Sequence, residues 1–172
     1  MFSRRNFLVG SLFVGGGLGV AALTTGIPTA FSATPLTDDP TQTFPVAHTE
    51  AEWHAILNPQ QFKVLREQDT ERPFTSPLND EHRNGTFACA GCNQPAFASA
   101  TKFDSHTGWP SFWAPMENAV GIHQDRSFGM LRQEVHCSRC GGHLGHVFDD
   151  GPKPTGLRYC MNGVAMTFTA QG

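Results

Sequence analysis

The chain has 172 residues and a formal net charge of −3. Residues 1–32 are predicted to be a targeting segment with two arginines and no acid, so the rest has 10 basic and 15 acidic residues and a charge of −5. This acidic balance predicts no cationic face for nucleic acid. The remaining part is long enough for one domain with a substantial core, and no apolar run of about 20 residues follows the targeting segment.

Residues 1–32 carry the features of a twin-arginine signal peptide. Ser3-Arg4-Arg5-Asn6-Phe7-Leu8 precedes a glycine-rich apolar stretch over residues 9–23. Paired arginines before an apolar stretch are typical of twin-arginine export, although an ordinary secretory signal or a membrane anchor would also carry basic residues there. We expect cleavage after Ser32. The twin-arginine export machinery would then deliver a periplasmic protein, or a membrane-tethered one if the signal is not cleaved.

A linker and two short helices are predicted next. Residues 33–48 are rich in Thr, Pro and Asp and have little periodic apolar content, so they are assigned as a linker, and the domain as 49–172. Thr49 and Glu52 have the spacing of a capping box at the start of a helix. That helix would place three apolar residues on one face: Trp53, Ile56 and Leu57.

The second helix is predicted to begin directly after the first. Asn58 would cap it and Pro59 would take its first position, where the missing N–H of proline costs nothing. The helix would carry Phe62 and Leu65 into the core and end near Glu67.

From Phe87 onward the sequence is typical of antiparallel β-structure. Short apolar segments alternate with turn residues, as in Gly108-Trp109-Pro110, Asp150-Gly151-Pro152 and Asn162-Gly163. The phenylalanines of these segments are assigned to the core rather than to a ligand-binding surface. They are Phe87, Phe97, Phe103, Phe112, Phe128, Phe148 and Phe168.

Four of the five cysteines form two C-x-x-C pairs. Two such pairs far apart in sequence favour tetrahedral coordination of one Zn²⁺ over a pair of disulfides or a redox dithiol. Because four thiolates leave no open position for water, the predicted zinc is structural. Its ligands would be Cys89, Cys92, Cys137 and Cys140.

Cys160 is the cysteine left over, and its residue type alone does not decide its role. A single cysteine is more often a small core residue than a nucleophile. Two histidines, His143 and His146, lie shortly before it and could supply a general acid, although such a pair is as often structural or part of a second metal site.

Several segments resemble the methionine-R-sulfoxide reductases of the B type in their sequence, order and spacing. The match runs from about Trp53 to Phe168 and includes Thr70-Glu71-Arg72-Pro73-Phe74, for which no role is assigned. The resemblance implies a mainly β (α+β) fold of two antiparallel sheets with short N-terminal helices and a four-cysteine zinc site. The matching segments are Gly85-Thr86-Phe87-Ala88-Cys89-Ala90-Gly91-Cys92, Lys102-Phe103-Asp104-Ser105, Gly108-Trp109-Pro110-Ser111-Phe112, His143-Leu144-Gly145-His146-Val147-Phe148 and Arg158-Tyr159-Cys160-x-Asn162.

Carried over by motif, the resemblance makes Cys160 the nucleophile toward oxidised methionine in peptides or proteins. Trp109 would receive the methyl group of the substrate, and Phe148 would add an apolar surface. The polar side would be lined by His143, His146 and Asn162. We expect His146, helped by His143, to donate a proton to the sulfoxide oxygen while Cys160 attacks and becomes a sulfenic acid.

One departure from the family pattern bears on how Cys160 is reduced. Many members have a second, resolving cysteine just before Gly-Trp-Pro-Ser-Phe, where this chain has Thr107. With the other four cysteines assigned to the metal, no intramolecular disulfide is available. An external reductant, a thioredoxin-like protein or a small thiol, is therefore expected to reduce Cys160.

The residues alone are also compatible with two other classes of function. One is a non-catalytic zinc-ribbon binding module in which Cys160 is inert. The other is a thiol-disulfide exchange protein that uses one C-x-x-C pair, which stoichiometric zinc that survives oxidation would exclude.

Overall fold

The computed structural model describes residues 43–125 and 131–172. The predicted signal peptide and the predicted linker up to residue 42 lie outside these ranges. Within them, no helix is both long enough and apolar enough to cross a membrane. Residues 43–48 of the predicted linker contact the domain, since the Val46 amide donates to the Arg139 carbonyl at 2.9 Å and the ring of Phe44 lies 5.7 Å from that of His136.

Both predicted helices form, as α1 (Glu50–Ile56) and α2 (Pro59–Glu67). Thr49 and Asn58 each make a capping box with the residue three positions later. Such a cap satisfies N–H groups that the first helical turn leaves without partners, and it is worth about 1 kcal/mol. The cap residues therefore fix where each helix begins.

The buried faces of the helices agree with the prediction except at Ile56. Trp53 and Leu57 are buried, as are Phe62 and Leu65 of α2, whereas Ile56 is 49% exposed. The helix ends at Ile56 and the backbone of Leu57 is extended. Because the helical periodicity stops at Ile56, Leu57 is buried and Ile56 is not. The prediction that Ile56 shares the buried face is therefore wrong.

Nine strands in the described ranges form two antiparallel sheets, which confirms the predicted fold class. The three-stranded sheet has the order β2-β1-β9. Its strands are β1 (Gly85–Cys89), β2 (Pro95–Ala98) and β9 (Met166–Ala170). The six-stranded sheet has the order β3-β4-β8-β7-β6-β5. Its strands are β3 (Lys102–Phe103), β4 (Ser111–Phe112), β5 (Val120–Asp125), β6 (Arg132–Cys137), β7 (His143–Phe148) and β8 (Arg158–Met161).

An aromatic cluster joins the two sheets in the core. Phe112 of β4 stacks on Phe97 of β2 at 4.5 Å between ring centroids and meets Phe87 of β1 edge-on at 5.0 Å. All three rings are fully buried, as predicted. Truncating one of them to alanine would cost about 3–5 kcal/mol through lost burial and the cavity left behind.

The other predicted core phenylalanines are less deeply placed. Phe168 is partly buried against the core, Phe103 is half-buried, and Phe128 lies outside the described residues. Phe148 is 37% exposed, so its assignment to the core is wrong. Its ring lies beneath the guanidinium of Arg158, 4.4 Å from centroid to Cζ, which explains how an aromatic residue is accommodated at the surface.

A β-bulge in β7 changes which side chains share a face. Val135 pairs with Gly145, but His136 pairs with His143, so β7 has one extra residue over this stretch. Residues three apart in a regular strand point to opposite faces, and the bulge instead puts His143 and His146 on the same one. Gly145 is required there, because a Cβ at this position would lie 2.1 Å from the carbonyl oxygen of Cys160.

Candidate active site and metal centre

Strand pairing aligns the reactive side chains in one row across the six-stranded sheet. His146 lies opposite Cys160, and Cys160 lies opposite Ser111 on its other side. The row continues through Glu134 to His123 on the outer strands β6 and β5. Directly opposite residues project to the same face, so this face carries a thiol, two imidazoles and a carboxylate.

A shallow cavity on this face brings together most of the predicted site residues. Cys160, His146, Asn162, Trp109 and Phe148 all line it. Three further lining residues were not predicted: Thr70, Arg132 and Gly145. The lining therefore combines aromatic and polar side chains, which suits a small substrate with an apolar group beside a polar one.

His143 was predicted to line the polar side, but the structure places it behind His146. Its side chain is 2% exposed, and the two imidazole rings meet edge-on at 5.3 Å between centroids. Nδ1 of His143 lies 2.6 Å from Oε1 of Glu134, while its Nε2 is buried and has no hydrogen-bond partner among the described residues. His143 can therefore reach a substrate only through His146 or through a water molecule.

Glu134 supports His143 and was missed by the sequence reasoning. Burial alone would raise the pKa of this carboxyl group, but the hydrogen bond from His143 and the charges of His143 and His123 outweigh burial and lower it. The ionised carboxylate fixes the His143 tautomer with the proton on Nδ1. No motif marks this residue, because it meets His143 only through the pairing of β6 with β7.

Cys160 lies in surroundings that hold its proton. Burial raises the pKa of the Cys160 thiol, and the nearby Thr107 hydroxyl, the Arg158 charge and the Ser111 hydroxyl only partly counteract burial. The sequence neighbour Arg158 is itself paired with Asp150 through two contacts of 2.8 Å, which shares its positive charge. These surroundings favour the protonated thiol over the thiolate.

A chain of hydroxyl groups approaches the thiol from one side. Thr107 Oγ1 is 3.8 Å from Sγ of Cys160 and 2.8 Å from Ser105 Oγ, which lies 2.7 Å from Ser111 Oγ. A rotating hydroxyl can donate to a thiolate once it forms. Thr107 was noted from sequence only as the residue in place of a cysteine, and the structure adds its contact with Cys160.

An acidic partner holds His146. Nε2 of His146 is 3.1 Å from Oδ2 of Asp125, and Arg132 contacts the same oxygen at 2.6 Å. Burial lowers the pKa of His146, and the hydrogen bond to Asp125 partly restores it. The neutral imidazole thus prevails near neutral pH. Neither Asp125 nor Arg132 was predicted, because they meet only when β5 pairs with β6.

Asn162 and Trp109 are both fixed by the buried residue Glu71. The Glu71 amide donates to Oδ1 of Asn162 at 3.0 Å, and the Trp109 indole N–H donates to the Glu71 carbonyl at 3.1 Å. The Glu71 carboxylate accepts from the amides of Gly163 and Val164. Burial raises the pKa of Glu71 against the effect of these two bonds. Glu71 therefore positions the aromatic wall against the end of β8.

The four predicted metal ligands converge at the ends of β1 and β6. The Sγ atoms of Cys89 and Cys140 lie 3.7 Å apart, those of Cys92 and Cys137 lie 3.5 Å apart, and all four are within 4.8 Å of one another. Tetrahedral bonds of about 2.3 Å place sulfurs about 3.8 Å apart, so the cluster fits one metal ion. The sulfurs are too far apart for disulfides, whose S–S bonds measure about 2.0 Å.

Comparison with known proteins agrees with this geometry. The model of the SelR domain matches residues 57–170. The chain is 52% identical over 124 residues to the peptide methionine sulfoxide reductase MsrB of Agrobacterium fabrum, with 72% of this chain and 92% of that protein covered. It is 54% identical over 121 residues to the protein of that name from Thiobacillus denitrificans, with 70% of this chain and 92% of that protein covered. The chain therefore belongs to the SelR domain family.

Proposed function

We propose that this chain reduces the R epimer of methionine sulfoxide, free or within proteins, to methionine. The observation that carries the proposal is the cavity in which the Cys160 thiol, the His146 imidazole and the Trp109 indole meet. The relatives are named for reduction of peptide methionine sulfoxide, and 92% of the Agrobacterium fabrum protein is covered by this chain. A non-catalytic binding module would leave this arrangement of thiol and histidine without a purpose.

The chemical step needs an acid and a thiolate together. The sulfoxide sulfur becomes electrophilic when its oxygen is protonated or strongly hydrogen-bonded, and His146 is the cavity residue that can supply that proton. Attack by Sγ of Cys160 forms a bond to the substrate sulfur, and the protonated oxygen leaves that sulfur as water. Addition of water to Sγ then breaks the bond between the two sulfurs and leaves Cys160 as a sulfenic acid. The substrate sulfur gains the two electrons that Cys160 loses, and methionine leaves.

Epimer selectivity follows from the two unlike sides of the cavity. Trp109 and Phe148 provide apolar surface for the methyl group, whereas His146 provides the polar group that the oxygen requires. When the methyl group and the oxygen are held in these positions, only one of the two epimers orients its sulfur lone pair and the remainder of methionine for reaction with Cys160. His143 and Glu134 act by orienting His146 and by holding a proton behind it.

Regeneration of Cys160 is proposed to use an external thiol. The other four cysteines lie together in the four-cysteine cluster, and Sγ of Cys160 lies 3.8 Å from the hydroxyl of Thr107. A first thiol condenses with the sulfenic acid to give a mixed disulfide and water, and a second thiol releases reduced Cys160. A thioredoxin-like dithiol supplies both, and two molecules of a small thiol serve equally.

We propose Zn²⁺ as the ion of the four-cysteine cluster. Four thiolates are the ligand set of structural zinc sites, and the ion would join the end of β1 to the loop after β6. Residues 1–32 are proposed to direct export by the twin-arginine route, on the strength of the motif beginning at Ser3. Replacing Arg4 and Arg5 by lysine should leave the protein in the cytoplasmic fraction.

The experiment that tests the proposed function separates the two epimers. Prereduced protein is incubated with the R or the S form of a methionine sulfoxide peptide, and methionine is measured at intervals. We expect turnover of the R form alone when a dithiol is present. Cys160→Ser is the matched control, because it changes one atom and leaves the metal cluster intact. Equal rates for both epimers, or no turnover by metal-loaded protein, would overturn the proposal.

A further inference from the structure

We propose a second metal site, formed by His123, Glu134 and His136, that binds a divalent transition-metal ion independently of the four cysteines. Candidate ligand atoms of these residues, ring nitrogens and a carboxylate oxygen, lie within 4.8 Å of one another. The proposal does not depend on the reductase activity.

Strand register brings the three residues together. Glu134 and His136 are two apart in β6 and therefore share a face of the sheet. His123 of β5 lies directly opposite Glu134, and Gly121 lies opposite His136. Because Gly121 has no side chain, no β5 side chain lies opposite the His136 imidazole, whose ring meets that of Phe44 edge-on at 5.7 Å. The imidazoles of His123 and His136 approach to 5.6 Å between ring centroids.

Unsatisfied buried atoms point to a ligand at this place. Nδ1 and Nε2 of His136 are buried without a hydrogen-bond partner among the described residues. His136 is 4% exposed. A buried polar atom without a partner carries a desolvation penalty that proteins rarely leave uncompensated. A cation held by one His136 nitrogen and by the Glu134 carboxylate within 4.8 Å of it would compensate this penalty.

The contact between His123 and Glu134 also fits a metal site. Nε2 of His123 lies 2.6 Å from Oε2 of Glu134, so an imidazole and a carboxylate already meet at this place. A small separation of the two atoms would admit an ion with bonds of about 2.0–2.2 Å.

The ligand set selects the class of ion. Two imidazoles with one carboxylate suit Zn²⁺, Ni²⁺ or Cu²⁺ and leave coordination positions for water, unlike the closed four-thiolate cluster. His123 is 29% exposed, so the ion can enter from solvent on that side. The other carboxylate oxygen of Glu134 accepts from His143, which orients the carboxylate as outer partners of metal ligands do.

The test is a metal titration of the purified protein, with the four-cysteine cluster already loaded with zinc. We expect one further equivalent of Ni²⁺ by calorimetry, with no new sulfur-to-metal absorption band. His123→Ala is the test variant, since the side chain is partly exposed and its loss should not unfold the protein. It should weaken this binding about tenfold or more. His106→Ala is the control, because His106 is an exposed histidine that pairs only with Asp104 in the described chain.

Cys160 must be excluded as a competing ligand, so the titration is repeated in Cys160→Ser. The proposal stands if the further equivalent persists in Cys160→Ser and His106→Ala and is lost in His123→Ala. It is overturned if the zinc-loaded protein takes up no further Ni²⁺, or if His123→Ala binds as tightly as the unaltered protein. Circular dichroism of each variant verifies that the fold is kept.

Discussion

The four-cysteine cluster and the Cys160 cavity are assembled in different ways. Each half of the cluster is a single tight turn, Cys89 to Cys92 or Cys137 to Cys140, with both ligands three residues apart. The cavity instead takes residues from many separate segments, from Thr70 to Asn162, and depends on the register of the strands between them. The cluster consists of two local turns and needs one long-range contact, the one between those turns. The cavity instead forms only when the whole six-stranded sheet is paired.

The largest expected effects distinguish the four-cysteine cluster, which should control stability, from the Cys160 cavity, which should control activity. Cys137→Ser removes a ligand from the cluster and should release the metal, lowering the melting temperature by more than about 10 °C because structural metal binding contributes directly to folding. Cys160→Ser should leave metal content and melting temperature unchanged while activity disappears. Metal analysis and calorimetry of both variants check this. Similar melting temperatures for the two would contradict a structural role for the cluster.

The second prediction tests whether His146 is the general acid. His146→Asn should lower the single-turnover rate by about 10²–10⁴-fold, the usual contribution of a general acid. Stopped-flow quench of methionine formation measures it. His54→Asn, at an exposed histidine of α1, is the matched control and should change nothing. A loss of less than about threefold in His146→Asn would remove His146 from the mechanism.

The pH dependence gives His146 a distinct signature. Burial lowers the pKa of His146 and raises that of Cys160, so as pH rises between these values the acid form decreases as fast as the thiolate form increases. The single-turnover rate should therefore be flat between the two pKa values and fall on either side. In His146→Asn only the thiolate matters, so the rate should rise steadily with pH up to the pKa of Cys160. A flat profile in the variant would contradict the assignment.

The third effect concerns the aromatic wall. Trp109→Ala should lower kcat/KM by roughly 10–100-fold, since a contact worth about 1.5–3 kcal/mol of apolar burial is lost. Trp109→Phe keeps an aromatic surface and loses only the hydrogen bond to the Glu71 carbonyl, so it should cost about three- to tenfold. Steady-state kinetics on the R epimer compare the pair. Equal losses would mean that the hydrogen bond, and not the apolar wall, is what matters.

The smallest effect concerns the hydroxyl beside the thiol. Thr107→Val removes a group that lies 3.8 Å from Sγ and helps to lower the pKa of Cys160, so that pKa should rise. The rate of alkylation by iodoacetamide at a fixed pH should fall about threefold, in line with one weak hydrogen bond. Thr107→Ser retains the hydroxyl and should alkylate at the original rate. A decrease in both variants would indicate a packing effect.

The same contrast explains what the sequence could predict. The sequence predicts features whose residues lie within three positions of each other. These features are the helix caps at Thr49 and Asn58 and the two C-x-x-C turns. The family resemblance predicts that Trp109, Cys160 and the other motif residues belong to one site. The roles of Asp125, Glu134 and Glu71 were not predicted, because their partners lie across a strand pair or in a distant segment. No local pattern encodes such a contact.

Two further details depended on features that periodicity does not show. A regular strand would place His143 and His146 on opposite faces, and only the bulge before Gly145 brings them together. Phe148 was assigned to the core by residue type, but the strand ends there and Arg158 covers the ring. In both cases a local irregularity of the backbone outweighed the expectation for the residue type.

The most direct test of the account is a single turnover followed by mass spectrometry of the protein. Prereduced protein is mixed with excess R epimer and no reductant, methionine is counted, and Cys160 is trapped with a reagent for sulfenic acids. We expect one methionine per protein and one oxygen atom gained at Cys160, with the four cysteines of the cluster unchanged. Methionine formed without oxidation of Cys160, or an intramolecular disulfide to Cys160, would contradict it.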